Sequence, residues 1–378
     1  MKGKIYNLDS VVPWAIRQGF PVSYVMEQEE IPFADPRLFG KEGYVGAQSP
    51  PHITLSTTPY IAELDDVIIY NKSNLIIKGN TALDDVAAHP TYGKYVDLMH
   101  DKTVLDQKDK QVHLYHDTYD LYDFKSCGIF LSGLASGYFG HWGPEFLAKL
   151  QVLEHHKDYK DLPIIVDRDM PQSHFDYLSC ITQNDLVKLP PHTGLLCTKL
   201  LVAPTNVFFP SFLVNENKVP HQDMALSPRT LLFLRERVLS KIQGHSRFGK
   251  KIYISRRHQK LRKLINEDEI IKFMINLGFE IVEPETLSFA DQVLMFMHAE
   301  YIVAPYSSAL LNIIFSQTNI KLFILIQSRL YNFGSYYGAL QALGYDMLFV
   351  TGEAEIDYKH ASFHVPIERL SEALAIYA

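Results

Sequence analysis

Three stretches of this sequence combine residue types that can do chemistry together. Ser255-Arg256-Arg257-His258-Gln259-Lys260-Leu261-Arg262-Lys263 places six potential cations in nine residues, counting His258. Guanidinium groups hold two oxygens at once, which suits a diphosphate. Ala304-Pro305-Tyr306-Ser307-Ser308-Ala309-Leu310-Leu311-Asn312 is rich in small residues where a helix is expected to start. Free N–H groups and the helix dipole favour a phosphate there. Each stretch also has a plainer reading, as a solvated charged loop and as a serine helix cap. Both are expected on one edge of one sheet, which favours a shared anion site. In Gly137-Tyr138-Phe139-Gly140-His141-Trp142-Gly143-Pro144-Glu145, His141 can act as a base near neutral pH. Glu145 shares its face if the helix begins early; a structurally satisfied histidine is the alternative. Asp167-Arg168-Asp169 has the Asp-x-Asp spacing of a divalent-metal site and equally the makeup of a turn. The 16 histidines contain no His-Glu-x-x-His, so no metal is expected.

The elements that must position these residues fall into zones. Residues 1–125 read as an irregular β-rich accessory region. Within it, Asn71-Lys72-Ser73-Asn74 separates two apolar runs as a hairpin would. Residues 126–245 alternate strand and helix. Cys127–Leu131 and Pro163–Asp167 read as strands, a helix is expected from about Pro144, and another runs from Ser227-Pro228 to about Gln243. Residues 246–352 carry the strongest pattern, with strands at 251–255, 279–282, 301–304 and 321–326. The helices between them start at Asn266, where Glu269 suggests a capping box, at Ser288, and near Ser308. Gly278 marks a helix stop. Strands alternating with helices of this length imply an α/β, Rossmann-like parallel sheet. Residues 353–378 read as a closing helix segment, with Ile367, Leu370, Leu374 and Tyr377 as its stripe.

The whole chain has 378 residues, room for two or three domains, with 47% apolar and 21% charged residues. Its net charge of −7 argues against a general nucleic-acid binder. Three cysteines, Cys127, Cys180 and Cys197, fit neither a disulfide framework nor a zinc site. No apolar run reaches membrane-spanning length and the start lacks a signal-peptide core. A soluble, cytoplasmic chain is therefore expected, with peripheral contact at the inner membrane left open.

Arg256 through Asn266, Gly278-Phe279-Glu280, Pro284-Glu285, Leu287-Ser288-Phe289 and Gln292 together resemble glycosyltransferase family 61, the bacterial capsular polysaccharide biosynthesis glycosyltransferases. The string from Ala304 to Phe315 resembles that family's Gly-x-His-Gly-Ala-x-Leu-Thr-Asn segment, and Gly137 to Trp142 its His-Trp motif. The likeness spans about 126–350. It implies a GT-B-type architecture: two Rossmann-like lobes facing a cleft, an acceptor lobe over 126–245 and a nucleotide-sugar lobe over 246–352. It further implies metal-independent, inverting transfer from a nucleotide-sugar donor to a bacterial surface glycan, capsular or lipopolysaccharide, with a lipid-linked acceptor as one form. On this resemblance Arg256, Arg262, Lys263 and Asn312 hold the donor diphosphate, joined by Ser307 and Ser308 from the expected helix start. Glu285, Gln292 and Tyr306 support the nucleoside, and His141 with Glu145 supplies the base. No cofactor is implied. The family's His-Gly is replaced by Tyr306-Ser307 and its Thr by Leu311, which removes a titratable contact and a flexible backbone position. Transfer of another activated group, such as a polyol phosphate, or a non-catalytic binding role in a polysaccharide assembly complex, are the alternatives.

Overall fold

Apolar, β-branched and aromatic runs with no polar alternation form strands covered on both faces, and Ile252, Tyr253, Val303, Phe323 and Phe349 are all fully buried. They lie in a computed structural model that describes residues 3–33, 36–40, 52–90, 93–115, 120–204, 226–259, 261–327, 334–354, 356 and 361–376. Contacts divide the chain into two units, Met1–Glu29 with Leu55–Met224, and Glu30–Thr54 with Ala225–Ala378.

The second unit holds the expected parallel sheet. Its strands stand in the order Glu280–Val282, Lys251–Ile254, Tyr301–Pro305, Lys321–Gln327 and Met347–Ala354, each parallel to its neighbour. The chain leaves Lys251–Ile254 toward one side and returns to Tyr301–Pro305 on the other. The strand order therefore reverses between those two carboxyl ends, the place where open α/β sheets bind ligands. The helices Glu267–Asn276 and Phe289–His298 make these crossovers. Gly278, at φ +80, ends the first, and Ser288 Oγ caps the second by accepting from Asp291 N at 3.1 Å. The strand Arg37–Phe39 extends the sheet in parallel beside Met347–Ala354, a contribution from the early chain that periodicity did not reveal.

In the first unit the strands of the early chain and those after residue 120 share one 12-stranded sheet. Val67–Tyr70 pairs antiparallel with Ile76–Lys78, closing the expected hairpin around 71–74. The same strand also pairs antiparallel with Thr193–Val202. Asp120–Phe130, Ile164–Asp167 and Leu186–Leu189 run parallel, with helix Gln172–Ile181 between the last two. Ile69, Ile165, Leu195 and Trp14 sit in the core of this unit.

Four expectations need correction. The break expected at 125/126 falls inside the strand Asp120–Phe130, because the early strands complete the same sheet. The break expected at 245/246 moves to 224/225. Helix Pro228–Lys241 belongs to the second unit, where Arg235 reaches the carbonyls of Ile314 and Ser316. Asn266 makes no capping box; its amide exchanges hydrogen bonds with the Val365 backbone, at 2.8 and 3.2 Å. That bond ties the segment after 353 into the second unit. The helix expected from Ser308 is a 3-10 helix, Ser308–Phe315.

Candidate functional site

At the reversal point of the second unit the two anion-friendly turns meet. Arg256, just past Lys251–Ile254, donates from Nη1 to the Tyr306 carbonyl at 2.7 Å, just past Tyr301–Pro305. Arg262 lies over the Tyr306 ring, 5.6 Å from guanidinium carbon to centroid. Its backbone sits at φ +54, a left-handed conformation side chains seldom adopt outside functional or tightly constrained turns. Burial, then the like charge of Arg262, pulls the Arg256 guanidinium down to about 10, and burial also lowers Arg262. Two desolvated cations side by side are relieved by an anion between them.

Polar atoms left over at this point reinforce the reading. Arg262 Nε and Ser307 Oγ are both buried without a hydrogen-bond partner among the described residues, and such atoms are rare unless a ligand or water meets them. Ser308 and Lys263 are exposed beside them. Glu267, which spacing did not single out, is the carboxylate that builds the turn. It is 3% exposed, and its Oε1 accepts from Arg256 N at 2.7 Å and Ser255 Oγ at 3.0 Å. A glutamate opening a helix after a basic turn was its only trace in the sequence.

The remaining candidates hold the scaffold. Asn312, expected on phosphate, is 1% exposed and donates to Gln292 Oε1 at 2.9 Å, so it locks the 3-10 helix to the neighbouring helix instead. Gln292 Nε2 in turn donates to the Pro284 carbonyl at 2.9 Å. Glu285 is exposed and accepts from Gln259 Nε2 at 3.1 Å, bridging the basic turn to the 283–287 loop. Arg257 and His258 both face Glu283, at 3.1 and 3.5 Å, and are committed there.

In the first unit the helix begins earlier than Pro144, with Phe139–His141, and passes through a π turn, Trp142–Leu147. Such π turns often occur at functional sites. This places His141 Nδ1 2.5 Å from Glu145 Oε1. Burial alone would lower the imidazole, but the charge and hydrogen bond of Glu145 outweigh it and raise the pKa above 6.5. Trp142 is the anchor: fully buried, it donates from Nε1 to the His174 carbonyl at 2.9 Å and stacks on Phe146. Asp167 fixes the turn before the helix. Its carboxylate accepts from Ser132 Oγ, Ser136 Oγ, Asn71 Nδ2 and Lys72 N at 2.6–2.8 Å. Asp169 pairs with Lys72 at 2.6 Å. The Asp-x-Asp motif is thus a turn anchor. Among the described residues no three His, Cys, Asp or Glu gather as a metal site, and no helix is long and apolar enough to cross a membrane.

Residues 139–323 match the glycosyltransferase 61 family, a span of just under half the chain that contains every candidate site residue named above from His141 to Asn312. No curated protein matches the chain.

Proposed function

From the match of residues 139–323 to glycosyltransferase family 61 we propose that this chain is a member acting as an inverting, metal-independent transferase on a nucleotide-sugar donor and a glycan acceptor. The observation that carries the reading is the Arg256–Tyr306 contact at the strand-order reversal, with Ser307 Oγ and Arg262 Nε unpartnered among the described residues beside it. Arg256, Arg262 and Ser307 bind the donor diphosphate, with Lys263 and Ser308 at its rim. The arginines stabilise the leaving nucleoside diphosphate by charge, the part a metal plays elsewhere. Glu285 and the Gln292-supported loop face the nucleoside side.

His141 is the base for the acceptor hydroxyl. Glu145 holds its Nδ1, so the other ring nitrogen takes the proton as the sugar carbon is attacked from the side opposite the diphosphate. One displacement of this kind inverts the anomeric centre. The GT-B arrangement of two lobes closing on one donor and one acceptor is part of this proposal, as are a bacterial surface glycan as product and a cytoplasmic location. The test is turnover of UDP-, GDP- and CMP-sugars by the full chain in chelator with candidate glycan acceptors. Product of inverted configuration, lost in His141→Gln, is expected. Nucleotide binding without turnover of any donor would favour a non-catalytic binding role.

A further inference from the structure

A cavity of about 450 Å³ lies wholly within the first unit, inside the range of about 300–1,000 Å³ typical of small-molecule sites. Most of its wall is apolar, including Val11, Ile76, Leu83, Phe130 and Phe146. Into this apolar chamber the fold brings five charged groups, Asp84, Asp85, Asp97, Glu145 and Lys149, along with His89. Three of them are already used by the protein. Asp85 accepts from Val11 N at 2.8 Å and from the Tyr60 hydroxyl, Asp97 Oδ1 accepts from Met99 N at 3.0 Å, and Glu145 holds His141.

The other two have hydrogen-bonding capacity to spare. Asp84 is 7% exposed, and its Oδ1 accepts from Val86 N and Ala87 N at 2.8 and 3.0 Å, while Oδ2 has no partner among the described residues. Lys149 makes no hydrogen bond or ion pair among them, and its ammonium lies 5.3 Å from the Phe146 ring centroid and 5.7 Å from that of Phe130. Despite the attraction between them, burying Lys149 and the second Asp84 oxygen without hydrogen bonds is costly, and a ligand that reaches both offsets the cost. Burial pushes the Asp84 carboxyl up to about 6 and the Lys149 ammonium down, as a cavity awaiting polar contacts would.

The spare groups define the ligand. One accepts hydrogen bonds and one donates them, so hydroxyls, which do both, satisfy the pair. An anion would meet four carboxylates, a cation would meet Lys149, and an apolar molecule would strand both. Aromatic and aliphatic walls suit the C–H faces of a sugar ring. Glu145 lines the cavity and binds the proposed base, so whatever sits here adjoins the reacting hydroxyl. Asp84, Asp85 and Tyr60 lie outside the family match.

We propose that this cavity is the acceptor subsite and takes an uncharged sugar ring, its hydroxyls bound by Asp84 and Lys149. The assignment as acceptor rests on the transferase reading above; binding of the sugar does not. The experiment titrates the full chain with neutral methyl glycosides (glucoside, galactoside, N-acetylglucosaminide), with methyl glucuronide and with glucosamine, by ligand-observed NMR, with and without UDP. Saturable binding of at least one neutral glycoside is expected, preferred over the charged sugars. Asp84→Asn and Lys149→Met should each weaken it about 10–100-fold, the value of a hydrogen bond to a charged group, while leaving UDP binding intact. No saturable neutral glycoside, a preference for a charged sugar, or wild-type affinity in both variants would overturn the proposal. The charge preference is measured on the wild-type protein, so the result stands even where a variant does not fold. Sugar binding without UDP binding sinks the donor site and leaves the cavity; UDP binding without sugar binding does the reverse.

Discussion

Asp84→Asn is expected to stabilise the protein at neutral pH and to lose that advantage in acid. Burial lifts the Asp84 carboxyl from 3.8 to about 6, despite the pull of the Val86 and Ala87 N–H groups. Below 3.8 the group is protonated in both the folded and the unfolded chain, and nothing is lost. As pH rises through about 6, the folded state alone must hold a charge that it solvates poorly. The full difference is on the order of 3 kcal/mol near pH 7.5, falling to about 0.5 kcal/mol near pH 4. Asparagine keeps the Oδ1 acceptor for both N–H groups and never ionises. Thermal unfolding followed by circular dichroism should give a Tm higher by about 5–10 °C at pH 7.5. The gain should shrink to about 2 °C or less at pH 4. An unchanged or lowered Tm at pH 7.5, or an equal gain at both pH values, would refute the reasoning.

Other outcomes follow from the same geometry. Arg256→Gln should weaken UDP binding about 10–100-fold by calorimetry, since it removes a charge-assisted contact and the tie to the Tyr306 carbonyl; unaltered affinity would separate Arg256 from the diphosphate. Transfer should rise with pH through a limb above 6.5, because the base must lose a proton that Glu145 helps it keep. Glu145→Gln leaves burial unopposed and should move that limb to lower pH, whereas an unmoved limb belongs to another group. His141→Gln should cost about 10²–10⁴ in kcat with UDP affinity retained. Gln292→Ala cuts the Asn312–Gln292–Pro284 chain and should cost about 1–3 kcal/mol in chemical denaturation. A loss of nucleotide affinity with no loss of stability would instead place Gln292 on the ligand.

Local periodicity made the parallel sheet of the second unit legible, because buried strands and amphipathic helices write their pattern residue by residue. The two turns at its reversal point were legible for the same reason: each follows a readable strand. What joins them was not, since Arg256 bonds a backbone carbonyl, which has no side-chain signature. Asn312 looked like a phosphate ligand by position, but the fold turns its amide toward Gln292. Glu267 and Asp84 escaped notice because their value comes from burial, a property of the packed chain. Asp84 and Lys149 come from distant segments that share a cavity only once the sheet of the first unit is assembled. Domain limits failed where early segments enter later sheets, as Arg37–Phe39 does.

That side chains, without a metal, grip the donor is tested most directly by the structure of the full chain with UDP bound in the presence of a chelator. Pyrophosphate oxygens should lie within hydrogen-bond reach of Arg262 Nε and Ser307 Oγ, with Arg256 beside them. A nucleotide seated elsewhere, or one that binds only when a divalent cation is restored, would contradict the account.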